Sequence, residues 1–174
     1  MTRAFVALGA NMPFEGVEGA ELLARAVVAL AEAGLAPFAL SGVWQTEAWP
    51  HGNGQPDYFN AAVVIEAGDR TPAQLFDLLL AIERQFGRER RERWAPRTLD
   101  LDILAIEGAN GVFDGISLPH PRMAERAFVL APLVEIAPDW RHPESGRTAT
   151  EMLAALSADY GYRRIGDLSP PQVR

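Results

Sequence analysis

The chain has 174 residues, 48% of them hydrophobic and 22% charged, with a net charge of −7 and no cysteine. That length fits a single domain over 1–174 with its own core. The charge turns the surface as a whole away from nucleic acid and anionic lipid, and the missing cysteine removes disulfides, thiolate metal sites and thiol nucleophiles. All sixteen basic residues are arginine, so Schiff-base chemistry, a lysine base and the lysine-bearing Walker phosphate loop are excluded as well. Phosphate must then be handled by Arg, His, backbone N–H groups or metal. No apolar run reaches about 18 residues, and the N-terminus enters a strand-like run with no leader. A cytoplasmic protein with no membrane partner is expected.

AFVALGAN (4–11) reads as a short strand ending at Gly9, followed by a loop through Pro13. Over 17–33 the residues Leu22, Leu23, Ala26, Val27 and Leu30 recur at helical spacing, and Gly34 supplies a stop. PFALSGVWQTEAW (37–49) alternates moderately and predicts a second strand; PHGNGQP (50–56) is a loop; YFNAAVVIEAG (58–68) is a strand rich in β-formers. Thr71 then caps a helix with Pro72 at its first position. Leu75, Leu78, Leu79, Ile82 and Phe86 share one face of that helix, and Gly87 ends it. After an arginine-rich segment comes a strand over 99–107. Strand, helix, strand, strand, helix, strand is the order of the ferredoxin-like α+β fold, an antiparallel sheet with helices packed on one face. Beyond Gly108 the sequence predicts a short hairpin (112–118), a helix around 128–136 and a late helix near 150–159. DLSPPQVR at the end looks frayed, with 168–174 as a tail.

Two acids interrupt the last core strand. Residues i and i+2 of a strand share a face about 6.5–7 Å apart, so Asp100 and Asp102 project together while Leu99, Leu101 and Ile103 face the helices. Carboxylates that close repel unless a cation lies between them. A pair of Mg²⁺ ions about 3.5–4 Å apart suits the gap and prefers such hard oxygen ligands. A half-exposed strand with two solvated acids would show the same D-x-D. Asp is depleted in strands, however, and Leu104 and Ile106 are expected to continue the aspartate face as apolar residues.

Residues 84–97 hold Arg84, Arg88, Arg90, Arg91, Arg93 and Arg97. A charge run is ordinarily a solvated, self-paired loop, which suits Arg84 and Arg91 beside Glu83, Glu89 and Glu92. The other arginines lead straight into the acidic strand. Guanidinium groups next to metal-binding carboxylates imply a third, strongly anionic component, and a polyphosphate chelated by Mg²⁺ and clamped by Arg satisfies both. Trp94 offers a flat face for a ring, or a filler for a core. Glu83, at the helix end, is a further candidate ligand or loop anchor. His51 and His142 read as exposed surface histidines, whereas His120 is pinned between Pro119 and Pro121. No residue stands out as a general base, so alignment and charge stabilisation must carry any catalysis.

R-W-A-P-R-T-L-D-L-D-I-L (93–104) closely resembles the signature of the 6-hydroxymethyl-7,8-dihydropterin pyrophosphokinase family of the folate pathway. The likeness extends through A-L-G-A-N (7–11), T-E-A-W (46–49), Q-P-D-Y-F-N-A-A (55–62), F-G-R-x-R (86–90) and L-P-H-P-R-M-x-x-R-x-F (118–128). It implies a ferredoxin-like fold and transfer of the β,γ-pyrophosphate of ATP to the pterin's hydroxymethyl oxygen, releasing AMP. It also implies that Asp100 and Asp102 hold two Mg²⁺ ions on the triphosphate, and that Arg88 and Arg97 stabilise charge on the transferred group. Arg90, Arg93, Trp94, Ile103, His120 and Arg126 would contact ATP, with 87–96 closing over the site. Tyr58 and Phe128 would sandwich the pterin, although each alone would more often be a core residue. Asn60, Thr46, Glu47 and Trp49 would meet its edge. The expected partners are these two small molecules, with the chain acting as a monomer.

Some positions depart from the family pattern. Ala10 stands where serine is common, removing a hydroxyl expected near the pterin. Glu47 and Trp49 replace a proline and a smaller apolar residue, Leu80 a glutamine, and Gly115 an arginine of some members. Two other readings suit a ferredoxin-like chain. An RNA-binding module would stack bases on Tyr58 and Phe128, but it has no use for two acids and is disfavoured by the charge of −7. A two-metal phosphodiesterase would hydrolyse its substrate and ignore pterin.

Overall fold

The computed structural model describes residues 1–48, 52, 54–87, 98–156 and 161–169. Its elements follow the expected order through β1 (Arg3–Ala10), α1 (Gly19–Glu32), β2 (Ala39–Leu40), β3 (Gly42–Thr46), β4 (Tyr58–Glu66), α2 (Pro72–Gln85) and β5 (Asp100–Ile106). The sheet runs β5-β1-β4-β3 with antiparallel neighbours, which is the ferredoxin-like arrangement. The helix starts are chemically fixed. Thr71 Oγ1 accepts the Gln74 N–H at 3.2 Å and Gln74 Oε1 accepts the Thr71 N–H at 2.9 Å, a reciprocal cap with Pro72 inside it.

The run read as one strand over 37–49 is broken at Ser41. Its buried hydroxyl accepts the Ala62 N–H at 2.8 Å and donates to the Gly42 carbonyl at 2.7 Å, so a side chain stands in for ladder bonds between β2 and β3. The hairpin forms as β6 (Gly111–Phe113) and β7 (Ile116–Leu118). Asp114 and Gly115 take φ of 50° and 85° at its tip, the left-handed pair that a two-residue turn demands. Glycine at 115 is thus a turn residue.

α3 (Ala127–Ile136) and α4 (Ala149–Ala154) follow, the latter ending before the expected 159. A further strand, β8 (Tyr162–Asp167), pairs with β3 and extends the sheet. The sequence reading misses it because YRRIGD is charged and exposed with no alternation to signal a buried face. Asp167 therefore belongs to the sheet and Leu168 is buried in the core, so neither is frayed tail.

Two cores flank the sheet. Against one face, α1 and α2 bury Leu22, Leu23, Leu30, Leu75, Leu79 and Ile82 on Val6, Leu8, Val63 and Leu101. Against the other, α3 and α4 bury Leu130, Leu133 and Met152 on Phe5, Val64 and Leu104. A bulge in the β1–β5 ladder, where the register shifts between Phe5 and Val6, inserts Leu104 as an extra residue. It corrects one expectation: Leu104 stays on the aspartate side, but Ile106 is turned into the α1/α2 core. None of the described helices is long and apolar enough to cross a membrane.

Candidate active site

The register of the sheet sets the site. Asp100 on β5 lies opposite Gly9 on β1, Gly9 opposite Asn60 on β4, and Asn60 opposite Trp44 on β3. Residues paired across strands share a face, and the partners Phe5 and Val64 assign this face to the α3 side. Asp102 pairs with Ala7 on the same face, and Tyr58 with Thr46. One end of the sheet therefore gathers Asp100, Asp102, Asn60, Tyr58 and Thr46, drawn from three strands far apart in sequence. Strands are spaced about 4.8 Å apart, which puts Asp100 and Asn60, two strands apart, about 10 Å from one another.

Gly9 is the floor between them. It is half-buried in the middle of an extended run, with none of the left-handed φ that would require glycine. Among the described residues, a Cβ there would meet only Asn60 Oδ1 at 3.4 Å and the Phe59 carbonyl at 4.0 Å, both ordinary contacts. Neither packing nor backbone conformation demands the missing side chain, and a strand glycine with room to spare marks a place where something else approaches the backbone. Sequence reasoning takes Gly9 only as a strand end; its register partners carry the signal.

Asn60 is buried, and its Nδ2 donates to Thr46 Oγ1 at 3.0 Å. That bond orients the amide: Oδ1 turns toward Gly9 as an acceptor, and the Thr46 hydroxyl keeps its own proton to donate. An acceptor and a donor side by side suit the edge of a flat amide-bearing heterocycle. Phe128, in the first turn of α3, is 37% exposed, with the Arg126 guanidinium 5.7 Å from its ring centre.

His120 follows the hairpin. Its N–H donates to the Leu104 carbonyl at 2.7 Å, and its Nδ1 accepts the Arg122 N–H at 3.2 Å. Its ring proton therefore belongs on Nε2, which makes it a neutral donor. Burial pushes its pKa down, the charges of Arg126 and Arg122 push the same way, and a backbone hydrogen bond and Asp100 only partly offset them. The bond to Leu104 ties the hairpin end to β5, and Arg126, at the start of α3, is close enough to bear on the same ring.

Other expected site residues fall elsewhere. Ile103 is buried with its side chain in the α1/α2 core, so only its main chain is left for a ligand. Ala10 also faces that core, 1% exposed, so a hydroxyl there would project to the α1/α2 side rather than to this face. Glu47 is exposed just beyond β3, and Leu80 is half-buried on α2. Trp49, His51, Arg88, Arg90, Arg93, Trp94 and Arg97 lie outside the described residues. Asp100 and Asp102 are half-buried on the α3 side of the sheet. As two hard-oxygen donors on one side of a strand, they fit Mg²⁺, which usually takes one or two protein carboxylates and fills its shell with phosphate and water.

Residues 5–138 match the family model of 7,8-dihydro-6-hydroxymethylpterin-pyrophosphokinase. Among relatives named 2-amino-4-hydroxy-6-hydroxymethyldihydropteridine pyrophosphokinase, the one from Methylorubrum extorquens is 44% identical over 167 residues, spanning 95% of this chain and 99% of its own length. The Haemophilus influenzae one is 38% identical over 98% of this chain and 100% of its own. That of Synechocystis sp. is 42% identical over 68% of this chain but only 64% of the relative. The crystal structure of Plasmodium falciparum HPPK-DHPS with pteroate superposes with a TM-score of 0.66 at 13% identity, covering 88% of this chain and 42% of that one. At that identity the likeness concerns the fold alone.

Proposed function

Since the chain belongs to the 7,8-dihydro-6-hydroxymethylpterin-pyrophosphokinase family, we propose that the cleft over Gly9 holds ATP on its β5 side and 6-hydroxymethyl-7,8-dihydropterin on its β3–β4 side. The row Asp100–Gly9–Asn60 carries this reading: phosphate-directed acids and a heterocycle-reading amide lie on one face, about 10 Å apart, over a floor with no side chain. The hydroxymethyl oxygen attacks the β-phosphorus, its bond to phosphorus forming as the bond from that phosphorus to the α,β-bridging oxygen breaks. AMP leaves with the bridging oxygen, the hydroxyl proton is released, and the pterin carries away the diphosphate.

Asp100 and Asp102 are the metal ligands in this reading. Two Mg²⁺ ions bound there would offset the triphosphate charge and hold it in line. Arg88 and Arg97 act on the charge of the transferred group. Arg90, Arg93, Trp94, His120, Arg126 and the Ile103 main chain bind the nucleotide, His120 as a donor through Nε2. Tyr58 and Phe128 stack on the pterin; Asn60 and Thr46 read its edge, with Glu47 and Trp49 alongside. No residue is assigned as base, and rate comes from alignment and charge stabilisation. The chain works as one domain, a cytoplasmic monomer with no nucleic-acid partner.

The test is nucleotide analysis after mixing the protein with ATP, Mg²⁺ and 6-hydroxymethyl-7,8-dihydropterin. AMP and pterin diphosphate should appear one for one, and only with all three present. ADP would overturn the phosphate geometry, and phosphate release without pterin would favour a hydrolase.

A further inference from the structure

Among the described strands, β5 lies at one end of the sheet and pairs with β1 alone. Alternate N–H groups of such a strand point outward with no ladder partner. One of them belongs to Leu101, the residue between the two aspartates, and Glu83 takes it. The Glu83 carboxylate accepts the Leu101 N–H through Oε1 at 2.8 Å, with the residue only 2% exposed. Glu83 sits beside Ile82 and Phe86 near the end of α2, at the margin of the apolar face. Burying a carboxylate is costly unless hydrogen bonds compensate it, so its placement calls for a reason beyond packing.

The geometry supplies one. Asp100 begins β5, and its strand partner is Gly9, which has no side chain to pack against it. The register of β5 is therefore thinly held just where the acids emerge. Clamping the Leu101 N–H fixes the backbone between residues 100 and 102, and with it the directions in which both acids leave the strand. Glu83 does this from the α2 side, while the acids project to the α3 side. We propose that Glu83 is a positioning residue that aims Asp100 and Asp102, acting by reach rather than by charge. The inference rests on the reading that these aspartates hold Mg²⁺.

Two opposed substitutions separate reach from charge. Glu83→Gln keeps the length and an acceptor oxygen but loses the charge; Glu83→Asp keeps the charge and falls one methylene short. Calorimetric titration of Mg²⁺ in the presence of a methylene-bridged, non-transferable ATP analogue gives the metal midpoint without turnover. Hydrogen exchange at the Leu101 amide reports the clamp itself. Glu83→Asp should raise the Mg²⁺ midpoint about tenfold and expose the Leu101 amide, while Glu83→Gln stays within about twofold of the parent on both readouts. The reverse pattern, equal loss in both, or no change in either would overturn the proposal. Asp102→Asn in the same titration keeps the two readings apart. If it leaves the midpoint unmoved, the metal assignment itself fails; if it moves the midpoint while the Glu83 pair does not follow the predicted order, only the positioning role fails.

Discussion

Gly9 and His120 show how much single residues decide here. A valine at 9 suits a strand by propensity and fits the local φ, so Gly9→Val should leave stability within about 1 kcal/mol of the parent. Its branches would stand on the floor between Asp100 and Asn60, holding the two substrates apart. Turnover should fall by about 100-fold or more, with a cooperative thermal transition preserved; a Gly9→Val protein of full activity would remove the cleft from the mechanism. His120 sets a pH limit. Its folded pKa is lowered, by burial first and then by Arg126 and Arg122, from an ordinary 6.5. Below that value the unfolded chain takes up a proton that the folded one resists, so its neutral state favours folding above about pH 6.5 and loses that advantage as pH falls through the window beneath. Urea midpoints measured from about pH 7 to about pH 5 should decline, and His120→Gln should flatten that decline. Of these two residues, the sequence marks only the histidine, by its flanking prolines. The role of Gly9 depends on which residues it pairs with, and those lie on strands it does not touch in sequence.

At the scale of elements, one side chain in the last turn of α3 adds a polar tie to the sheet beside its apolar packing. Glu135 accepts the Gly42 N–H at 2.7 Å and Trp44 Nε1 at 3.0 Å, and meets Arg164 Nε at 2.5 Å, joining α3 to β3 and β8 at once. Burial pushes its carboxyl up, but the bonds from Trp44, Arg164 and Gly42 together outweigh burial and hold the pKa below 4.5. That stabilisation is complete above the unfolded value and is lost as pH falls through the folded one. Glu135→Ala, which strands three donors, should cost on the order of 2 kcal/mol near neutral pH and less in acid, read from urea midpoints at about pH 7 and about pH 4. The order of elements was legible because apolar spacing changes cleanly between strand and helix, and because Thr71-Pro72 marks a helix start. β8 was not, since an exposed edge strand carries no burial pattern. The side taken by Ile106 was not either, because a bulge in the β1–β5 ladder leaves no local signature in β5.

In the whole molecule, the proposed function divides two tasks between the two margins of the sheet. β5, at one edge, carries Asp100 and Asp102, whereas β3 and β4, nearer the other, carry Thr46, Tyr58 and Asn60. D-x-D and the arginines announce the first task in a short window of sequence. The second is spread over β3, β4 and α3, and only the fold assembles it. β8 reaches into that second half through a chain of side chains. Arg163 donates to Gln45 Oε1 from Nε at 3.2 Å and from its terminal nitrogen at 2.8 Å, and Gln45 Nε2 donates to Asp57 at 2.8 Å. Asp57 immediately precedes Tyr58, and Gln45 immediately precedes Thr46. The relay thus ties the ends of β3 and β4 where Thr46 and Tyr58, the two residues proposed to meet pterin, leave the backbone. Gln45→Leu keeps the side-chain size and breaks both links at a partly exposed site, so the stability loss should stay near 1 kcal/mol. KM for pterin should rise about tenfold, while KM for ATP, proposed to bind on the β5 side, should stay within about twofold. An equal rise in both would mean that the two halves of the sheet do not act separately, and that β8 supports the fold as a whole rather than the pterin side.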